Sequence, residues 1–375
     1  MQCAAMKITY CANVRFPTEK AHGVQIAKMC EAFAELGHEV NLVVTDRVSG
    51  INTDAFSYYQ IKPNFRIVRV SVPDTVHLGR FGFIFSELVF AWKIRRHLTN
   101  ARARADLIYG RDERVLSRLL ASGLPTIWET HTGAWNKAAR SLLQDSFGVV
   151  AISNGLKSFY IEKGGREDKI LVAHDGVDLK QFENPEKKNT ARIRLGLPLE
   201  KRIAMYIGRL DGWKGVRTLL DASLKLPDDI QVVVIGGEER HVSALRAEFR
   251  NVIFLGSRPY AELSDNQAAA DVLVLPNTKK SLISSNYTSP LKLFSYMASG
   301  RPIVASDLQS IREILDDSSC IFVTPDDPNS MSEGIKKALD CSDSIPKAAR
   351  QKVQSFTWQS RAQQVISFAG NVTYV

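Results

Sequence analysis

Arg209 and Lys214 stand five positions apart in the segment GRLDGWKG, bracketed by Gly208 and Gly215. The apolar run before them, Arg202 to Ile207, reads as a buried strand, and a helical pattern follows from Val216. A strand-to-helix loop of this kind brings backbone N–H groups, a positive helix end and two fixed cations to one point. Such a point holds a diphosphate without a metal. A surface turn with incidental charges is the competing account, and the loop alone does not exclude it.

A second element has both ends written in its residues. In SPLKLFSYMASG, Ser289 reads as an N-cap, Pro290 as the first helical residue and Gly300 as the left-handed residue past the end. Leu291, Phe294, Met297 and Ala298 form its apolar stripe. The free N–H groups near Leu291 and Lys292 would add a second positive helix end, although a well-capped core helix explains the stripe equally well. Three further positions follow strand-like runs, where side chains emerge at the carboxyl ends. Glu129 and His131 close TIWETH, Arg111 follows LIY, and Gly256, Ser257 and Arg258 follow VIFL. For Arg111, a salt bridge with Asp112 or Glu113 is the plainer reading.

These loops need a framework, and the chain supplies one twice. Lys7 onward opens a strand, a long loop over residues 13–22 leads to a helix from about Gly23 to Leu36, and Val40 to Val44 returns as a strand. Strands are also expected at residues 65–70, 107–109, 126–129 and 148–152, with a helix over Asn154 to Lys163. The polar stretch 178–189 reads as an interdomain linker, and Asp178 there suits a turn cap. The alternation restarts with strands at 202–207, 231–235, 252–255, 272–275 and 302–305, and helices near Val216, Val242, Tyr260 and Pro290. An α/β fold of two doubly wound, Rossmann-like parallel-sheet domains follows, with a cleft between them as the default ligand site.

The totals agree and narrow the chemistry. At 375 residues the chain is too long for one core. No apolar run is long enough to span a bilayer, the N-terminus shows no signal-peptide pattern, and Met6 would serve as a start. Cys3, Cys11, Cys30, Cys320 and Cys341 show no metal-ligand spacing, which suggests a reducing, cytoplasmic setting. No G-x-G-x-x-G follows the first strand, and no P-loop, D-x-D or G-x-S-x-G occurs. No metal, cofactor or nucleic acid is therefore called for. The net charge of +9 draws in part on Arg80, Lys93, Arg95, Arg96, Arg102, Arg104, Arg111, Arg114 and Arg118, which a solvated basic face accounts for. Phe81, Phe83, Ile84, Phe85, Leu88, Phe90 and Trp92 lie directly before part of that set. They read either as a buried helix with a basic exit, the slightly favoured account, or as a peripheral contact with the inner, anionic membrane face.

Together these motifs resemble the GT-B glycosyltransferases, specifically the retaining family four of nucleotide-sugar-dependent enzymes. GRLDGWKG looks like the family's diphosphate loop. VVAISNGLK with HDGVD looks like its domain junction, and ADVLVLP with SPLKLFSYMASGRPIVAS like its nucleotide-binding end. PTEKAHGVQ, YGRDERVL and WETH match its first half, while Phe356-Thr357-Trp358 with Arg361 resembles the last helix that crosses back. The resemblance implies an acceptor-side domain over residues 1–180, a nucleotide-sugar domain over 181–354 and a crossing helix over 355–375.

It also implies roles. Arg209 and Lys214 would neutralise the departing diphosphate, backbone near Gly23 and Leu291 would complete the cradle, and His131 would contact the donor sugar near the reacting carbon. Gly208, Gly256, Ser257, Arg258, Ser289, Lys292 and Ser295 fall on the donor side, and Arg111, Glu129 and Tyr287 on the sugar or acceptor side. Glu129 orients its neighbours rather than acting as a base. The partners are then a nucleoside-diphosphate sugar and a glycan or lipid-linked hydroxyl acceptor. One departure stands out: the family usually has glutamates where this chain has Tyr287 and Ser295. Ser295 is about two methylenes short of a glutamate; if nothing else replaces that contact, the donor should bind more weakly by about one to two decades and Ser295→Glu should tighten it, whereas a residue already occupying the ribose site would make the glutamate clash and weaken binding. A sugar-nucleotide epimerase of the same fold and a non-catalytic nucleotide-sugar-binding subunit remain open beside the transferase.

Overall fold

Apolar runs bounded by glycine and polar loops form the strands, and both faces of each sheet are covered, as parallel sheets require. The computed structural model describes residues 5–98 and 105–372, with side chains at positions 76, 80, 371 and 372 also outside the description. Cys3, Arg102 and Arg104 lie outside the described residues, as does the side chain of Arg80. The chain divides into two compact units, Met1–His174 with Trp358–Val375, and Asp175–Thr357.

The first unit is built on β1 (Lys7–Ala12), β2 (Glu39–Thr45), β3 (Arg66–Val70), β4 (Leu107–Gly110), β5 (Thr126–Thr130), β6 (Gly148–Ala151) and β7 (Ile170–Val172). They form one seven-stranded sheet in the order β3-β2-β1-β4-β5-β6-β7, and every pairing is parallel. The order reverses between β1 and β4. Loops leaving the carboxyl ends of those two strands turn to opposite faces and leave a crevice. The Trp358–Val372 helix returns to this unit and packs on the Ala21–Glu35 helix, where Gln359 Nε2 donates to Glu35 Oε2 at 2.8 Å.

The second unit repeats the plan with β8 (Arg202–Ile207), β9 (Ile230–Ile235), β10 (Val252–Phe254), β11 (Val272–Leu275), β12 (Ile303–Ser306) and β13 (Ile321–Val323). Its six-stranded sheet runs β10-β9-β8-β11-β12-β13, again parallel throughout, with the reversal between β8 and β11. Arg192, almost wholly buried, ties a helix to the sheet: its NH2 meets Asp271 Oδ2 at 2.5 Å and its Nε donates to Ala269 O. The polar stretch 178–189 lies inside this unit. Phe182 enters its core, and Asp178 caps a short turn by accepting from Lys180 N at 3.1 Å.

Several local expectations need correction. Strands β7 and β13, three residues each, were not expected. Helix near Tyr260 begins as a single 3₁₀ turn before Leu263–Ala268. Pro290, not Ser289, occupies the N-cap of the Leu291–Ser299 helix, and no side chain caps it. Ser289 Oγ instead accepts from Asp175 N at 2.9 Å, so its hydroxyl is spent on a chain crossing. Gly300 does sit past that helix in the left-handed region. Leu293 and Tyr296 join the buried stripe, while Leu291 is half-buried. The favoured buried-helix reading of residues 81–92 also fails. Within Gly79–Leu98, Phe81, Phe83, Phe85, Leu88 and Trp92 are exposed, because only the Ser86, Glu87, Phe90 and Ile94 side faces the protein. Among the described residues no helix is long and apolar enough to cross a membrane. Cys11, Cys30, Cys320 and Cys341 are free.

Candidate functional site

In the second unit the chemistry gathers where the strand order reverses. Ile207 ends β8, and Gly208 leaves it with φ of 149°, a conformation that L side chains rarely adopt. A Cβ there would lie 2.5 Å from Lys292 Nζ. Gly215 closes the loop at φ of 68°, where a Cβ would lie 1.9 Å from Pro276 O beyond β11. Glycine at both positions therefore lets the loop press against its neighbours. Between them Gly212–Lys214 forms a 3₁₀ turn, and the Val216–Ser223 helix starts at once.

This packing draws three basic side chains together. Arg209 is exposed and reaches Asp211 Oδ1 at 3.1 Å. Lys214 Nζ stands 3.4 Å from the centroid of the Trp213 ring. Lys292 Nζ donates to the Tyr206 hydroxyl at 2.6 Å, and that hydroxyl donates to Arg209 O at 2.6 Å. Burial, with Arg209 adding to it and Asp211 opposing, pulls the Lys214 ammonium down to about 8. Burial and the nearby Lys214 charge push Lys292 well below the usual lysine range. Asp211 is the acidic group acting on both lysines. The charges of Arg209 and Lys214 against one carboxylate leave positive charge that an anion would neutralise, and an anion beside Lys292 would favour its charged form.

The other positions expected to serve the donor or its sugar in this unit lie as follows. Gly236 N donates to Gly256 O at 2.7 Å, and Gly236 itself packs against Gly208 O, so the Gly256 loop is one step from the cations. Ser257 Oγ donates to Gly237 O at 3.1 Å, and Arg258 is exposed. Ser295 is buried; its hydroxyl donates to Lys292 O at 2.9 Å and accepts from Gln267 Nε2 at 3.0 Å. A glutamate there would have to displace Gln267. Tyr287 ends a π-helical turn, Ile283–Tyr287. Tyr206 and Gln267 were missed. Tyr206 reads simply as strand, because its partner Lys292 is 86 residues away.

In the first unit a pocket of about 280 Å³ opens at the carboxyl ends of β1, β4 and β5, at that sheet's reversal. Asn13, Arg111, Trp128 and His131 are on its wall. Behind it lies Glu129, wholly buried, which is ion-paired with Arg361 and hydrogen-bonded to three further side chains. Arg361 NH2 lies 2.9 Å from Oε2, His131 Nε2 2.5 Å and Gln25 Nε2 2.6 Å from Oε1, and the Tyr109 hydroxyl completes the set. Burial alone would raise the Glu129 carboxyl; the Arg361 charge, the His131 hydrogen bond and Arg111 outweigh it and hold the group far below the carboxylate range. Burial and Arg111 lower His131 to about 4 against the pull of Glu129. An ionised Glu129 only accepts, so the neutral imidazole carries its proton on Nε2.

Arg111 NH1 donates to Gln25 Oε1 at 2.9 Å, which ties it to this network rather than to Asp112, whose carboxylate caps the next helix. Gly23 has a packing role: a Cβ there would meet the Tyr59 hydroxyl at 2.2 Å, and that hydroxyl bonds both ways to the Thr18 backbone. Sequence reading overlooked Gln25 and Tyr109 and gave Arg361 no role at the site. Gln25 and Arg361 each put a polar group at an inward helical position, between Val24 and Ile26 and beside Trp358, Ala362 and Val365, and that is the signal that marks them. Among the described residues no group of three or more acidic, histidine or cysteine side chains is placed to hold a metal.

Comparison with known proteins matches both units. Residues 22–181 match the model of Glycosyltransferase Family 4, and residues 201–341 that of glycosyl transferases group 1. A D-inositol 3-phosphate glycosyltransferase of Corynebacterium urealyticum is 26% identical over 245 residues, 59% of this chain and 56% of that protein. A second enzyme of that name, from Corynebacterium diphtheriae, is 28% identical over 224 residues, with 54% and 51% covered. The chain spans about half the length of the curated relatives it matches. Among solved structures, HepE of Anabaena in complex with UDP and glucose superposes with a TM-score of 0.78 at 18% identity, covering 97% of this chain and 99% of that one. At that identity the likeness is one of fold, the GT-B fold.

Proposed function

Because this chain belongs to the glycosyltransferases, with a family four region followed by a group 1 region, we propose that it moves a sugar from a nucleoside diphosphate to a hydroxyl acceptor. Transfer proceeds with retention and without a metal, and the acceptor is a glycan or a lipid-linked sugar. The observation that carries this reading is the under-neutralised cluster of Arg209, Lys214 and Lys292 at the reversal of the second sheet. Relatives named D-inositol 3-phosphate glycosyltransferase support glycosyl transfer, and a like-folded structure in complex with UDP and glucose supports a nucleotide-sugar donor.

The main barrier in such a transfer is negative charge growing on the departing diphosphate. Arg209 meets it with a planar fork, while Lys214 and Lys292 act as point charges. Each charge-assisted hydrogen bond contributes roughly 1.5–3 kcal/mol. In the first unit His131 is neutral at pH 7, so it serves the sugar as a hydrogen-bonding group and not as a charged acid. Glu129 holds its ring in place. The leaving phosphate takes the acceptor proton, and no side chain is needed as base.

A thermal-shift screen with UDP, GDP, ADP and their sugars tests the donor, since a ligand at 100 times its Kd stabilises by about 2.7 kcal/mol. Acceptor-dependent release of the nucleoside diphosphate from the best donor is the expected result. Epimer formation without acceptor, or tight binding with no turnover across an acceptor panel, would overturn transfer in favour of the other two activities considered for this fold.

A further inference from the structure

The Gly79–Leu98 helix of the first unit carries an outward stripe that the transfer reaction does not use. Phe81, Phe85, Leu88 and Trp92 recur at i, i+4, i+7 and i+11, so they share one helix face. They are 85, 51, 44 and 57% exposed. Single exposed apolar residues are ordinary, but four in one line with three aromatics among them are not. One turn beyond Trp92 the same face presents Arg95 and Arg96, both exposed, and the Arg96 guanidinium lies 5.7 Å from the centroid of the Trp92 ring. Lys93 is spent on the protein itself, donating to Ser71 O at 2.7 Å. The helix is held from behind: Ser86, Glu87, Phe90 and Ile94 are buried, and Arg114 of the adjoining Glu113–Leu119 helix lies 3.4 Å from Glu87 Oε2.

We propose that this helix docks the protein on an anionic lipid surface, lying in the interface plane with its rings at headgroup depth and Arg95 and Arg96 on lipid phosphates. Charge complementarity selects that occupant. A stripe that ends in two guanidinium forks, on a chain of net charge +9, is matched by phosphate oxygens. A second copy fits it poorly. The stripe offers a handful of side chains, against roughly 20–30 residues a side in a stable interface, and an identical stripe brings no acid to the arginines. A bilayer needs no complementary shape and takes aromatic rings at its headgroup level. Docking of this helix on lipid does not depend on the transfer reaction.

Co-sedimentation of the full chain with vesicles tests it. Binding is expected to vesicles containing phosphatidylglycerol, to be weak on pure phosphatidylcholine, and to fall as salt is raised. Arg95→Glu with Arg96→Glu, and separately Phe81→Ser with Trp92→Ser, should each weaken binding at least tenfold. Unchanged thermal melts would show that these exposed changes leave the fold intact. A wild-type protein that stays in the supernatant overturns the proposal, as does wild-type binding by either variant pair. A dimer seen by light scattering that Phe81→Ser with Trp92→Ser dissolves would assign the face to a second copy instead.

Discussion

Burial pulls the Lys214 ammonium down to about 8, inside the range an assay reaches. The ammonium is charged below that value and neutral above it, and a diphosphate favours the charged form. Nucleotide affinity should therefore fall as pH rises through about 8, and binding near that pH should take up a proton. Calorimetry in two buffers of different ionisation enthalpy would read the uptake directly, and an affinity flat from pH 7 to 9 would remove Lys214 from the contact. Arg209→Ala and Lys214→Ala should each lower turnover by about two orders of magnitude with melting unchanged. At this scale the sequence was legible where one loop held the chemistry. Gly208, Arg209 and Lys214 come together because they are neighbours in the chain. Tyr206 and Gln267 were not legible, because a strand tyrosine and a helix glutamine acquire partners only when distant elements pack.

The network around Glu129 joins separate elements: Gln25 from the first helix, Tyr109 from β4, Glu129 from β5 and Arg361 from the last helix. Arg361→Met should cost about 3–5 kcal/mol, because it leaves a buried carboxylate without its cation. Chemical denaturation would measure that, and a loss below 1 kcal/mol would show that the other donors suffice. The same network sets an acid limit. His131 binds its proton less readily folded than unfolded, so stability should fall as pH drops from about 6.5 towards 4. Glu129, held low in the folded state, adds stability that is present above the ordinary carboxylate range and is lost as pH falls through and below it. Melting temperature followed from pH 7 to 4 checks the sign for His131, its continuation down to about pH 2 checks that for Glu129, and His131→Asn should flatten the upper part. Elements were legible wherever an apolar run exceeded about four residues. Their ends were less so: Ser289 looks like a cap by residue type, yet its hydroxyl is taken by Asp175 N.

For the whole molecule, two alternating α/β series were enough to give two parallel sheets, because strands covered on both faces leave continuous apolar runs. Which strand neighbours which was not legible from those runs, and the reversals between β1 and β4 and between β8 and β11 are what locate the two sites. On the proposed function, the second unit's cationic loop holds the diphosphate of a nucleotide sugar. The decisive experiment is calorimetric titration of the wild type, Arg209→Ala and Lys214→Ala with UDP, GDP and ADP at pH 7. One of the three should bind the wild type, and each variant should bind it at least tenfold more weakly. Equal affinity in wild type and both variants, or no binding of any nucleoside diphosphate at millimolar concentration, would contradict it.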